Sequence, residues 1–100
     1  MNLDEVQKQV WENKIKKGFN TIDVCQEFCL LNGEVAEAFD AYSKKKDDLG
    51  LELADIAIYL LGLSQMLGFS LEDEINKKLK INEARQYERV NGVLLKKDDN

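Results

Sequence analysis

The chain has 100 residues, 44% hydrophobic and 33% charged, with no proline, which describes one compact domain too apolar and too evenly charged for a disordered segment. It contains no histidine, so Ser-His-Asp and Cys-His nucleophilic sites are excluded and chemistry falls to carboxylates, lysine, arginine or two cysteines. A net charge of −5 and a pI near 4.7 argue against a nucleic-acid polymer or an anionic membrane as partner, because both are bound through positive surface.

Leu3, Val6 and Val10 step by three and four and predict an amphipathic helix over about residues 2–17, stopped near Gly18, with Trp11 and Ile15 widening its apolar face. Asn20 or Thr21 is the expected cap of a second helix reaching Ser43, its buried face made of Ile22, Cys25, Phe28, Cys29, Ala36, Phe39 and Tyr42. Lys44, Lys45 and Lys46 suit a helix C-terminus, and Asp47 and Asp48 suit the N-terminus that follows, so this stretch is a helical hairpin turn.

The third helix, over about 48–67, is apolar on most of its circumference (Leu51, Leu53, Ile56, Ile58, Leu60, Leu61). Such a helix needs covering on several sides, and a chain this short is expected to obtain that cover as a homodimer or homotetramer. Gly68 ends it, and Ser70 with Asp73 begins a fourth helix carrying Leu71, Ile75, Leu79 and Ile81, which frays near Asn91-Gly92 into a short tail. The expected architecture is an all-α, antiparallel helical-hairpin bundle of about four helices, one domain over 1–95 with a polar tail at 96–100.

Cys25 and Cys29 lie four apart on one helix face, where backbone geometry does not suit a disulfide. They read as core packing in a reducing, cytoplasmic setting. The N-terminus lacks a signal-type apolar segment, and Glu52 and Asp55 interrupt the longest apolar stretch, so neither export nor membrane insertion is expected.

Charge is divided along the chain: nine acids face three lysines between Thr21 and Leu60, whereas seven basic residues face Glu83 and Glu88 between Ile75 and Lys97. An acidic centre for cations beside a basic arm for phosphates suits metal-dependent phosphate chemistry. Glu34 with Glu37, and Glu52 with Asp55, are each spaced to share a helix face. Glu37 and Glu52 stand equally far from the midpoint of the turn, as do Glu34 and Asp55, so an antiparallel hairpin brings all four to one level. Apolar neighbours flank both pairs, and four anions in such a place call for a cation. Hard oxygen donors select Mg²⁺ or Mn²⁺. Taken singly, each acid also reads as an ordinary solvated surface charge.

The run Gly33-Glu34-Val35-Ala36-Glu37 followed by Glu52-Leu53-Ala54-Asp55 resembles the all-α nucleoside triphosphate pyrophosphohydrolases of the MazG-like superfamily, with their EExxE and ExxD signature. The GEVxE form looks like the dCTP pyrophosphatase branch. Lys78, Asn82 and Arg85, with a tyrosine nearby, resemble the KxxxNxxR stretch that contacts the triphosphate in relatives. The resemblance covers about residues 20–90.

It implies that Glu34, Glu37, Glu52 and Asp55 are Mg²⁺ ligands, with Glu37 and Glu52 central to catalysis, and that Lys78, Asn82 and Arg85 hold phosphate. The implied reaction splits a nucleoside triphosphate, a pyrimidine such as dCTP, into monophosphate and pyrophosphate through a metal-activated water. Gly33 departs from the signature, where a first glutamate helps position water; Glu27, seven residues before Glu34, is a weak substitute or a solvated acid. Trp11 and Phe19 are candidates for stacking on a base or for the core, and Lys78 and Arg85 for phosphate or a solvated face. The alternatives are a phosphoribosyl-ATP pyrophosphohydrolase and a non-catalytic helical interaction module.

Overall fold

The computed structural model describes residues 2–97. In chain order it contains α1 (Leu3–Lys17), α2 (Val24–Ser43), α3 (Leu49–Met66), α4 (Leu71–Ala84), β1 (Tyr87–Val90) and β2 (Val93–Lys96). The first three helices lie where the periodicity predicts them, and the fourth begins where expected but ends at Ala84. Asn2 caps α1 by accepting from the Glu5 amide, and Ser70 caps α4 by accepting from the Asp73 amide. The cap of α2 is Asp23 rather than Asn20 or Thr21. Asn20 instead shapes the turn before it, accepting from the Asp23 amide at 2.9 Å and donating to the Asp23 carbonyl at 2.7 Å.

Three helices end with paired bonds from the next two amides back into the last turn, around Gly18, Lys45 and Gly68 in left-handed conformation. Lys45 (φ 54°) adopts this geometry without glycine's freedom. It turns α2 directly into α3 and fixes the hairpin register.

α2 and α3 form the central antiparallel pair, α1 lies along α3, and α4 rests against α1. Ala38 and Ala41 on α2 and Leu61 and Leu63 on α3 are the fully buried apolar residues among those described. Gln7 ties three elements together from a buried position, donating to Gln65 Oε1 at 2.9 Å and the Phe69 carbonyl at 2.7 Å, and accepting from the Leu71 amide. These bonds satisfy backbone groups where α3 ends and α4 begins.

The structure corrects the expected architecture in two respects. Beyond Ala84 the chain is not a fraying helix but an antiparallel hairpin, with Tyr87 opposite Lys96 and Val90 opposite Val93 around Asn91-Gly92. Both turn residues have positive φ, which Asn-Gly supports and which matches strand twist. The molecule is therefore mainly helical with a small sheet. Lys96 ends β2, and positions 98–100 of the expected tail lie outside the described residues.

The second correction concerns the inner face of α2. Ile22, Phe28, Ala36, Phe39 and Tyr42 are exposed, as are Cys25 and Cys29, and the face turned inward carries Glu27, Ala38 and Ala41. Small alanines allow close approach to α3, whereas the bulky apolar face points outward. Leu51, Leu53 and Ile58 of α3 are exposed as well. This helix has the length and mean hydropathy (1.3) of a membrane span, 17% of that stretch is buried, and Glu52 and Asp55 near its start face the carboxylates of α2.

Candidate metal centre and adjoining cavity

Hairpin register brings acids of α2 and α3 together as their spacing predicts. Glu34, Glu37 and Glu52 each present a carboxylate oxygen, and these oxygens lie within 4.8 Å of one another. Asp55 stands just outside that tight group, near enough to raise the proton affinity of both Glu34 and Glu52. Glu34 Oε2 and Glu52 Oε2 are shielded from solvent and have no hydrogen-bond partner. Orphaned oxygens of this kind cost free energy unless a donor or cation meets them.

Electrostatics express the same conflict. The Glu34 carboxyl is pushed above its usual value, first by desolvation and then by repulsion from Glu37, Asp55 and Glu52. The Glu52 carboxyl is also raised, by desolvation first and then by Glu37, Asp48 and Asp55, with Lys46 opposing. An all-oxygen donor set carrying this excess negative charge fits Mg²⁺ or Mn²⁺ and lacks the nitrogen or sulfur donors typical of zinc sites. Asp40 lies outside the group: Lys44 at 3.0 Å and Lys46 at 3.4 Å hold it, and its carboxyl is lowered, chiefly by the hydrogen bond from Lys44.

A cavity of about 740 Å³ opens beside the carboxylates, between α1 and the hairpin. Glu34 and Asp55 form part of its wall, with Phe19, Tyr59, Asn13 and Gln26 around them. Phe19, one of the two aromatic candidates for stacking, thus lines the same cavity as Glu34 and Asp55. Trp11 is not, for it lines a separate, smaller cavity with Asp4, Lys8 and Phe69. Tyr59 was not anticipated, although it stands four residues after Asp55 and so on the same helix face. Burial, reinforced by Glu34 and Glu27, raises its phenol, which keeps the hydroxyl a hydrogen-bond donor.

Glu27 is neither a solvated acid nor an open base. It is fully buried, accepting from Lys14 Nζ at 2.6 Å through Oε2 and from Asn20 Nδ2 at 3.2 Å through Oε1. Lys14 is buried too, with its ammonium 6.0 Å from the Tyr59 ring centroid and its stem against Gly62. With both oxygens engaged, Glu27 joins α1 to α2 at the back of the cavity.

The basic residues are placed elsewhere. Lys78 and Asn82 are exposed on α4, and Arg85, its cap, reaches only Asn82 Oδ1 at 3.2 Å. Among the described residues, no hydrogen bond or ion pair joins these three to the carboxylate group. Comparison with known protein families, curated proteins and solved structures gives no match.

Proposed function

We propose that this protein is a Mg²⁺-dependent nucleoside triphosphate pyrophosphohydrolase, cleaving a (deoxy)nucleoside triphosphate to monophosphate and pyrophosphate. The observation that carries the reading is the group of Glu34, Glu37 and Glu52, with two shielded, unpartnered oxygens, joined through Glu34 and the neighbouring Asp55 to the wall of a cavity large enough for a nucleoside. The resemblance of GEVAE and ELAD to the MazG-like signature supports the same reaction and favours a pyrimidine such as dCTP.

In this reading Glu34, Glu37, Glu52 and Asp55 would hold the cation, which would supply charge neutralisation for the phosphate oxygens and a more acidic water. Phe19 and Tyr59 supply aromatic faces to the nucleoside, and the Tyr59 hydroxyl donates toward its sugar or α-phosphate. Glu37, exposed to solvent beside the group, would accept the proton of the attacking water. Glu27 is held by Lys14 and Asn20 and keeps the cavity wall in place.

The test is a panel of nucleoside triphosphates with Mg²⁺, assayed separately for pyrophosphate and orthophosphate. Monophosphate and pyrophosphate from at least one substrate, abolished by EDTA, is the expected result. Orthophosphate with a diphosphate product removes the α–β cleavage, and full turnover in EDTA removes the metal.

A further inference from the structure

Cys25 and Cys29 stand in the first two turns of α2 as exposed, free thiols. The proposed reaction uses neither, and their exposure removes the packing role that their spacing suggests. Side chains four apart on a helix have Cβ atoms about 5–6 Å from one another. A disulfide requires about 3.5–4.5 Å. The pair is therefore too wide for a direct S–S bond, yet close enough for one interposed atom to touch both sulfurs. The acids nearest in sequence are engaged elsewhere: Asp23 accepts from the Gln26 amide as the helix cap, and both Glu27 oxygens are taken by Lys14 and Asn20. Phe28, three positions after Cys25, adds exposed apolar surface beside it.

We infer that Cys25 and Cys29 form a two-thiolate site for a soft monovalent cation, Cu(I), separate from the carboxylate group. Thiolate sulfur selects Cu(I), zinc and iron–sulfur clusters. Structural zinc and iron–sulfur clusters call for four ligands, and among the described residues no group of three or more cysteines and acids includes Cys25 or Cys29. A closed-shell Cu(I) ion is satisfied by two thiolates placed on opposite sides of it. Binding replaces two S–H bonds by two Cu–S bonds and releases two protons to solvent, with no change of oxidation state. The hairpin thus sorts two cations by hardness: oxygen donors at Glu34, Glu37 and Glu52, sulfur donors at Cys25 and Cys29. The copper site does not depend on the proposed function.

The test titrates the full chain, reduced with a phosphine under anaerobic conditions, with Cu(I) against the chromogenic chelator bicinchoninate. One copper per chain is expected, with two sulfur neighbours by X-ray absorption. Cys25→Ser and Cys29→Ser should each weaken binding about 100-fold or more, the advantage lost when a tethered second ligand is removed. Both positions are exposed, so helix content by circular dichroism should match the parent's. Iodoacetamide alkylation of the folded parent should abolish copper binding without any substitution.

The decisive variant combines Cys29→Ser with Asn32→Cys. It keeps two thiols at exposed positions but sets them seven residues apart, about 10 Å along the helix. It should bind copper no better than the single-thiol variants. Parental affinity in this variant, one copper shared between two parental chains, or binding that survives alkylation overturns the inference. Excess Mg²⁺ and the Glu52→Gln substitution should both leave copper affinity unchanged. Displacement by Mg²⁺, or loss of copper in Glu52→Gln, would put the ion at the carboxylates and overturn the sulfur site.

Discussion

Two acids on α2, seven positions apart, meet opposite fates. Glu27 is fully buried and closed, its two oxygens taken by Lys14 and Asn20. Glu34 is partly exposed and open, with Glu37 and Glu52 for company and one shielded oxygen without a partner. The difference lies in what each meets across the interface: α1 offers Glu27 an ammonium, and α3 offers Glu34 more carboxylate. A buried charge given its counterion inside the protein holds the fold together, whereas one surrounded by its own sign leaves the compensation to something that binds.

The largest effect should come from breaking the closed end. Lys14→Met keeps the stem but strands a buried carboxylate, and urea unfolding should report a loss of about 3–5 kcal/mol. Adding Glu27→Leu should recover most of that loss, because a buried pair replaced by apolar groups is often close to neutral. If the single and double variants are equally unstable, packing rather than the stranded charge is responsible.

The open end should respond with the opposite sign. Glu52→Gln keeps shape and removes one like charge, so melting without metal should rise, while stabilisation by Mg²⁺ and turnover should both disappear. Asp40→Asn is the control, since Lys44 and Lys46 hold that acid away from the group. Its response to Mg²⁺ should match the parent's, and identical behaviour of the two variants would dissolve the metal centre.

Acidity sharpens the same contrast. Glu34 and Glu52 bind protons more tightly when folded than their usual value of 4.5 allows. The folded state therefore holds extra protons just above pH 4.5, and these two groups lower metal-free stability as pH rises through that window. Melting curves in EDTA should show this decline, and Mg²⁺ should flatten it. The smallest expected change is Lys45→Gly, which relieves a left-handed non-glycine residue and should stabilise by about 0.5–1 kcal/mol in the same urea experiment.

Much of this was legible because helix ends and hairpin register are local properties. Ser70 at a cap and a turn at Lys44–Lys46 are written in short stretches, and equal spacing about that turn brings Glu34, Glu37 and Glu52 together. The inner face of α2 was not legible, because that helix is apolar on two sides and bulk pointed to Phe28 and Phe39 while alanines made the close contact. Lys14 and Glu27 were hidden by the rule that charges face water, and their pairing is a tertiary fact with no local signature. Asn91-Gly92 between Val90 and Val93 is a hairpin signal, and it competes with the helical spacing of Ile75, Leu79 and Ile81 that precedes it.

Gly62 ties three positions into one unit of sequence change. A methyl group there would lie 3.1 Å from Lys14 Cδ, so the absence of a side chain at 62 leaves room for the path by which Lys14 reaches Glu27. Substitution at 62 first presses on the lysine stem, and substitution at 14 first strands the acid. The order in which mutations arrive therefore decides whether an intermediate survives, and drift at 14, 27 and 62 should proceed as a concerted triplet rather than as three independent histories.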